Sequence, residues 1–154
     1  MVEIIEGMKA PAFTAVDQHG QKIKLSDFKG KKLALYFYPK DSTSTCTVQA
    51  CNIRDGFKAL AKKGIVVVGV SPDDEKSHLK FIANHKLPFQ IIADTDKSLV
   101  EKYGVWGEKS LYGNKYMGVF RKTFLIDEKG VVVKVISKPK VKVHADEIAS
   151  GFEG

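Results

Sequence analysis

The sequence predicts an α/β fold: a central mixed sheet flanked by helices, with an N-terminal β-hairpin extension. Three observations predict it. Two runs, 32–38 and 65–70, are apolar at successive positions and suit strands buried on both faces. Each is followed by a stretch of helical period, as right-handed crossovers between parallel strands require. Further on, 119–126 and 131–136 flank Asp127-Glu128-Lys129-Gly130 and must pair antiparallel. At 154 residues, 44% hydrophobic and 28% charged, the chain 1–154 reads as a single globular domain.

Taken in order, 12–16 and 22–25 flank the turn signal His19-Gly20 and form the first hairpin. Residues 26–30 read as a capped turn closed by Gly30, and Pro39 stops the strand over 32–38. From 45 to 63, Val48, Cys51, Phe57, Leu60 and Ala61 recur three or four apart, which predicts one helix ended by Gly64. After the strand over 65–70, Ser71-Pro72-Asp73-Asp74-Glu75 opens a helix marked by Leu79, Phe81, Ile82 and Leu87. A short strand over 89–93 and a short helix over 96–103 follow, the latter closed by Gly104. Residues 105–117, rich in Gly and aromatics, read as a loop, and a last helix is expected over 143–152. Helices alternating with strands around a mixed sheet is the layout of a thioredoxin-like fold with extra elements.

Charge and composition exclude several classes. The balance is 25 basic against 18 acidic residues, but only Arg54 and Arg121 are arginine and the lysines are scattered. Nucleic-acid readers cluster Arg within a recognisable module, so no nucleic acid is expected as a partner. No apolar run nears the roughly 18 to 20 residues of a membrane span, and no secretory leader is visible at the start. No membrane partner is expected, and the chain is predicted to be cytoplasmic. Four histidines and two cysteines without ligand spacing predict no metal.

The chemistry concentrates between a strand end and a helix start. Cys46 follows the strand over 32–38, at the predicted helix's first turn, where free backbone N–H groups and the helix dipole favour a thiolate. Cys51 lies five residues on. In a continuous helix the two are turned apart by roughly 140° with Cα atoms about 8 to 9 Å apart, beyond the ~7 Å limit of a disulfide. They bond only if the helix unwinds, which suits a nucleophile and a resolver better than a structural staple. The residues alone leave a second reading open, in which both cysteines are packing residues.

Pro39-x-x-x-Thr43-x-x-Cys46 resembles the active-site pattern of peroxiredoxins. The partner cysteine in 46–51, together with 103–109, 112–118 and 121–127, is similar to the bacterioferritin comigratory protein, or peroxiredoxin Q, branch. The chain departs from that branch at Ser44-Thr45, where Pro-Gly is usual, and at Gln49, where Glu is usual. Without Pro and Gly the turn has different backbone freedom.

The resemblance implies a thiol peroxidase that reduces hydrogen peroxide and organic hydroperoxides. Cys46 attacks the O–O bond and becomes a sulfenic acid, and Cys51 resolves it as an intramolecular disulfide. Thioredoxin or a similar dithiol restores the thiols. Arg121 supplies fixed donors to the developing charge, Thr43 hydrogen-bonds sulfur and peroxide, and Pro39 shields the sulfur. No haem, flavin or metal is needed, and a monomer is expected. Arg54 is read as a solvated or ion-paired helix residue. Trp106 and Phe120 are read as channel lining or packing, and His78, His85 and His144 as surface residues. The competing readings are a thioredoxin-like dithiol–disulfide oxidoreductase without peroxidase activity, for which a Cys-x-x-Cys motif is missing, and a basic binding module with fortuitous cysteines.

Overall fold

A computed structural model describes residues 3–153. Its central sheet runs in the order β5(Gln90–Ala93), β4(Ile65–Ser71), β3(Lys32–Phe37), β8(Lys122–Ile126), β9(Val132–Ile136). The first three are parallel; β8 lies antiparallel to β3, and β9 to β8. The hairpin β1(Thr14–Val16)–β2(Lys22–Lys24) packs outside this sheet, as expected of the extension.

The alternation along β3 builds both cores. Leu33, Leu35 and Phe37 face one side, with Val68, Val70, Phe124 and Ile126. That layer is covered by Phe13 and Ile23 of the hairpin and by Leu99, Val100 and Tyr103 of and beside α4(Ser98–Lys102). Ala34, Tyr36 and Tyr38 face the other side with Val67, Ile91 and Leu125. Here α1(Ser44–Asp55), α2(Phe57–Lys62), α3(Glu75–His85) and α5(His144–Glu153) cover the sheet, through Cys46, Ala50, Ile53, Leu60, Phe81, Ala145 and Ile148. A three-layer α/β arrangement results.

Four expectations are corrected. The single helix over 45–63 is two, because Gly56 ends α1 (φ −93°, ψ 2°). A Cβ there would lie 2.6 Å from Ala145 Cβ, so the break admits the close approach of α5. The loop over 105–117 is instead a hairpin, β6(Trp106–Leu111) with β7(Asn114–Val119). Tyr112 (φ 51°) and Gly113 (φ 82°) form its two-residue turn. The strand over 119–126 is divided at Phe120–Arg121, where β7 gives way to β8. Finally, His78 and His144 are fully buried rather than on the surface, while His85 is half-buried with its ring edge-on to Phe81. Leu79, one of the residues that mark α3, is 41% exposed.

Candidate active site

β3 delivers the chain to the sheet's C-terminal edge, where open α/β sheets place their sites. Pro39, half-buried, stops the strand. Four residues later Thr43, with extended backbone (φ −78°, ψ 153°), opens α1 as its N-cap. Cys46 sits in the first turn, 2% exposed, with its sulfur turned inward beside Tyr36, Tyr38 and Ala50.

The thiol meets a cation. Arg121 stands at the crossing from β7 to β8, and its Nη2 donates to Cys46 Sγ at 3.2 Å. Its Nη1 donates to Gln49 Oε1 at 2.6 Å. Gln49 lies three residues after Cys46, on the same face of α1, and is completely buried. One side chain therefore fixes the guanidinium while another receives it. Gln49 Nε2 and Tyr36 Oη, both buried, have no hydrogen-bond partner among the described residues.

Thr43 is arranged differently from the expectation. Its hydroxyl donates to Lys40 O at 2.9 Å, not to sulfur, because the cap position turns the side chain back along the loop. Its carbonyl accepts from Thr47 N and Thr47 Oγ1 at 2.9 and 2.7 Å. Cys51 is half-buried on the same helix, and both cysteines are free thiols. The continuous helix between them keeps their Cα atoms at the roughly 8 to 9 Å of helical geometry.

Neighbouring groups are tuned by this environment. Burial pushes the Tyr36 phenol well up, and the nearby Cys46 and Asp41 charges add to it. Burial lowers the Lys109 ammonium, the Arg121 charge lowers it further, and Cys46 acts in the opposite sense. Lys109 leans over the Phe120 ring, its Nζ 5.7 Å from the centroid. Phe120, 40% exposed, packs on Gly107, and Trp106 packs against the core. Arg54 pairs with Asp55 at 3.0 Å and donates to His85 O, away from the sulfur.

No role in the site was legible for Asp41 and Tyr38, and His78 was expected at the surface; the fold joins the three directly behind the loop. The spacing does carry a signal: His78 precedes the buried Phe81 by three residues and so shares its helix face. Asp41, Asp73 and His78 bring ligand-type atoms within 4.8 Å of one another. Each is already engaged by protein partners, and the arrangement calls for no ion.

A cysteine in the first turn of a helix at the edge of a thioredoxin-type sheet, with a half-buried arginine on its sulfur, is equipped for nucleophilic redox chemistry on a small substrate. Residues 7–135 match the sequence model of the AhpC/TSA family. The chain is 46% identical over 141 residues to peroxiredoxin Bcp of Bacillus subtilis, covering 92% of this chain and 90% of that one. It superposes on a cysteine-to-serine variant of PrxQ from Xylella fastidiosa with a TM-score of 0.92 at 27% identity, covering 99% of this chain and 98% of that one. The bacterioferritin comigratory protein of Xanthomonas campestris gives 0.89 at 31% identity, with 99% and 98% covered. Fold and site together define a thioredoxin-fold thiol peroxidase. The chain belongs to the AhpC/TSA family, among its peroxiredoxins of the Bcp or Q kind. Its substrate is a peroxide and its electrons come from a thiol. No helix among the described residues is long and apolar enough to cross a membrane.

Proposed function

We propose that Cys46 is the peroxidatic nucleophile and Cys51 its resolver, in a cycle confined to one chain. The observation that carries this reading is Arg121 Nη2 at 3.2 Å from Cys46 Sγ. An ionised sulfur there attacks the terminal oxygen of a hydroperoxide. The S–O bond forms as the O–O bond breaks, sulfur is oxidised to the sulfenic acid, and the leaving oxygen departs as water or an alcohol after taking a proton. Negative charge spreads over sulfur and both oxygens, and the guanidinium fork is in place to receive it without reorganising.

Thr43 acts from the solvent side. Its hydrogen is committed to Lys40 O, so its oxygen is left to accept the proton of the incoming hydroperoxide. Pro39 limits water at the sulfur. After oxidation α1 unwinds, the Cys51 thiol attacks the sulfenic sulfur, and the disulfide closes with loss of water. Thioredoxin or a similar dithiol protein then reduces it.

Hydrogen peroxide and organic hydroperoxides are the proposed substrates. The Xanthomonas relative's alkyl peroxide reduction activity supports the second class. The enzyme works as a monomer in the cytoplasm, the whole chain acting as a single domain. The Arg121–Cys46 contact and the relatives favour this peroxidase over the dithiol oxidoreductase alternative.

Stopped-flow consumption of peroxide by the reduced protein tests the assignment. Cys46→Ser is expected to abolish it. Cys51→Ser is expected to consume one equivalent and then stall with thioredoxin; normal turnover in that variant rules Cys51 out as resolver.

A further inference from the structure

The loop from β3 to α1 is held from behind by a buried polar cluster that the peroxide chemistry does not touch. Asp41, 5% exposed and five residues before Cys46, is its centre. Asp41 Oδ1 accepts from Tyr38 Oη at 2.5 Å, and Oδ2 accepts from Ser77 Oγ at 2.8 Å. His78 Nδ1 lies 2.6 Å from the same Oδ2, and its Nε2 lies 2.9 Å from Ile92 O. A carbonyl only accepts, so Nε2 carries a hydrogen, and the ring's other nitrogen shares a proton with Asp41. The main chain is tied as well: Asp41 N donates to Asp73 Oδ2, which also accepts from Ser71 Oγ. One loop residue is thus fixed to the ends of β3 and β4, to the first turn of α3, and to β5.

The chain beyond it is held far less. Ser42, Thr43, Ser44 and Thr45 are exposed, and α1 begins without a side-chain cap bond or an acidic residue in its first turn. Orphan N–H groups at such a start leave the first turn weak. A firm anchor therefore adjoins a weak helix start, and Cys46 lies just past the join.

We infer that His78, working through Asp41, is a positioning residue for the reactive cysteine. It fixes the chain ahead of α1, so that the unwinding which brings Cys51 to Cys46 begins beyond Asp41 and the helix rewinds onto Arg121 after each cycle. The inference rests on the peroxidase reading above. His78 touches neither sulfur nor substrate; it acts by holding the carboxylate that holds the loop.

The test compares full-length wild type, His78→Asn and Ser77→Ala, each reduced and mixed with hydrogen peroxide in a stopped-flow instrument. Oxidation of Cys46 is expected to slow about tenfold in His78→Asn, which loses the imidazole bridge from Asp41 to Ile92 O, and about threefold in Ser77→Ala, which loses one hydroxyl hydrogen bond to Asp41. The rate at which dithiothreitol reduces the closed disulfide is expected to stay unchanged, a split that general loss of structure does not produce. Ser77→Ala removes only a hydroxyl and decides the matter if His78→Asn does not fold. Wild-type oxidation rates in the folded variants overturn the inference. Failure of wild type itself to consume peroxide overturns the peroxidase reading beneath it.

Discussion

Gln49 is a neutral side chain whose partner is a cation. Its carbonyl takes one arm of Arg121 while its amide, fully buried, has no acceptor among the described residues. Such an orphan donor costs about 1 to 3 kcal/mol, charged here against the wound form of α1. The side chain also lies between the two cysteines, so unwinding breaks its bond to Arg121. Gln49→Glu replaces the orphan donor with a carboxylate oxygen and pairs the guanidinium with a charge. It is expected to raise the thermal midpoint and to slow disulfide closure about fivefold, read as the second phase of a stopped-flow trace; faster closure contradicts this account. Arg121→Met, by the same logic, is expected to slow Cys46 oxidation by about a hundredfold, the scale of losing one preorganised donor to a developing anion. The sequence displayed Gln49 as a departure from the family pattern, and Arg121 as one of two arginines. That the two touch was not legible, because they are 72 residues apart and meet only through the pairing of β8 with β3.

At the scale of elements, what was legible followed burial. β3 and β4 have apolar side chains on both faces and were readable as central strands, and the turn at Asp127–Gly130 carries its own closure in Asp127 Oδ1, which accepts from Lys129 N and Val131 N. The hairpin β6–β7 was not readable, since Glu108, Ser110, Leu111, Lys115, Tyr116 and Met117 leave no apolar alternation when both faces meet solvent. The division of α1 from α2 escaped for another reason. Gly56 is tolerated in a helical pattern, and only the approach of α5 makes its missing side chain necessary. Gly56→Ala is therefore expected to push α5 off α1 and cost about 1 to 3 kcal/mol, as overpacking does. Urea unfolding checks it, and an unchanged midpoint shows that the helices separate freely. Histidines were misread at this scale too: His78 and His144 stand three and four residues before the buried Phe81 and Ile148, a spacing that places each on its helix's inner face.

Across the whole molecule, the buried polar groups make stability depend on acidity. His144 lies between α5 and the sheet, its Nε2 2.8 Å from Thr123 Oγ1 of β8 and its Nδ1 2.8 Å from Glu147 Oε1. Burial lowers its pKa; the Glu147 hydrogen bond and charge oppose this, and the Arg121 charge adds to the lowering. The folded protein therefore takes up this proton later than the unfolded chain as the medium is acidified. Between the unfolded value, about 6.5, and the lower folded one, the unfolded chain binds more protons, so stability rises with pH across that window. The contribution is complete above about pH 6.5 and is lost as the pH falls through the folded value. Thermal unfolding of wild type is thus expected to show a midpoint that drops as the pH falls below about 6.5. His144→Gln keeps a polar group facing Thr123 without the titration and is expected to flatten that slope. Because the start of α5 seats against the C-terminal half of α1 through Asn52 Oδ1, which accepts from Ala145 N at 2.8 Å, the acid-induced loosening of α5 reaches the helix that carries both cysteines. Acidification is therefore expected to speed disulfide closure relative to the same change in His144→Gln, and identical responses in the two proteins refute the link between α5 and α1.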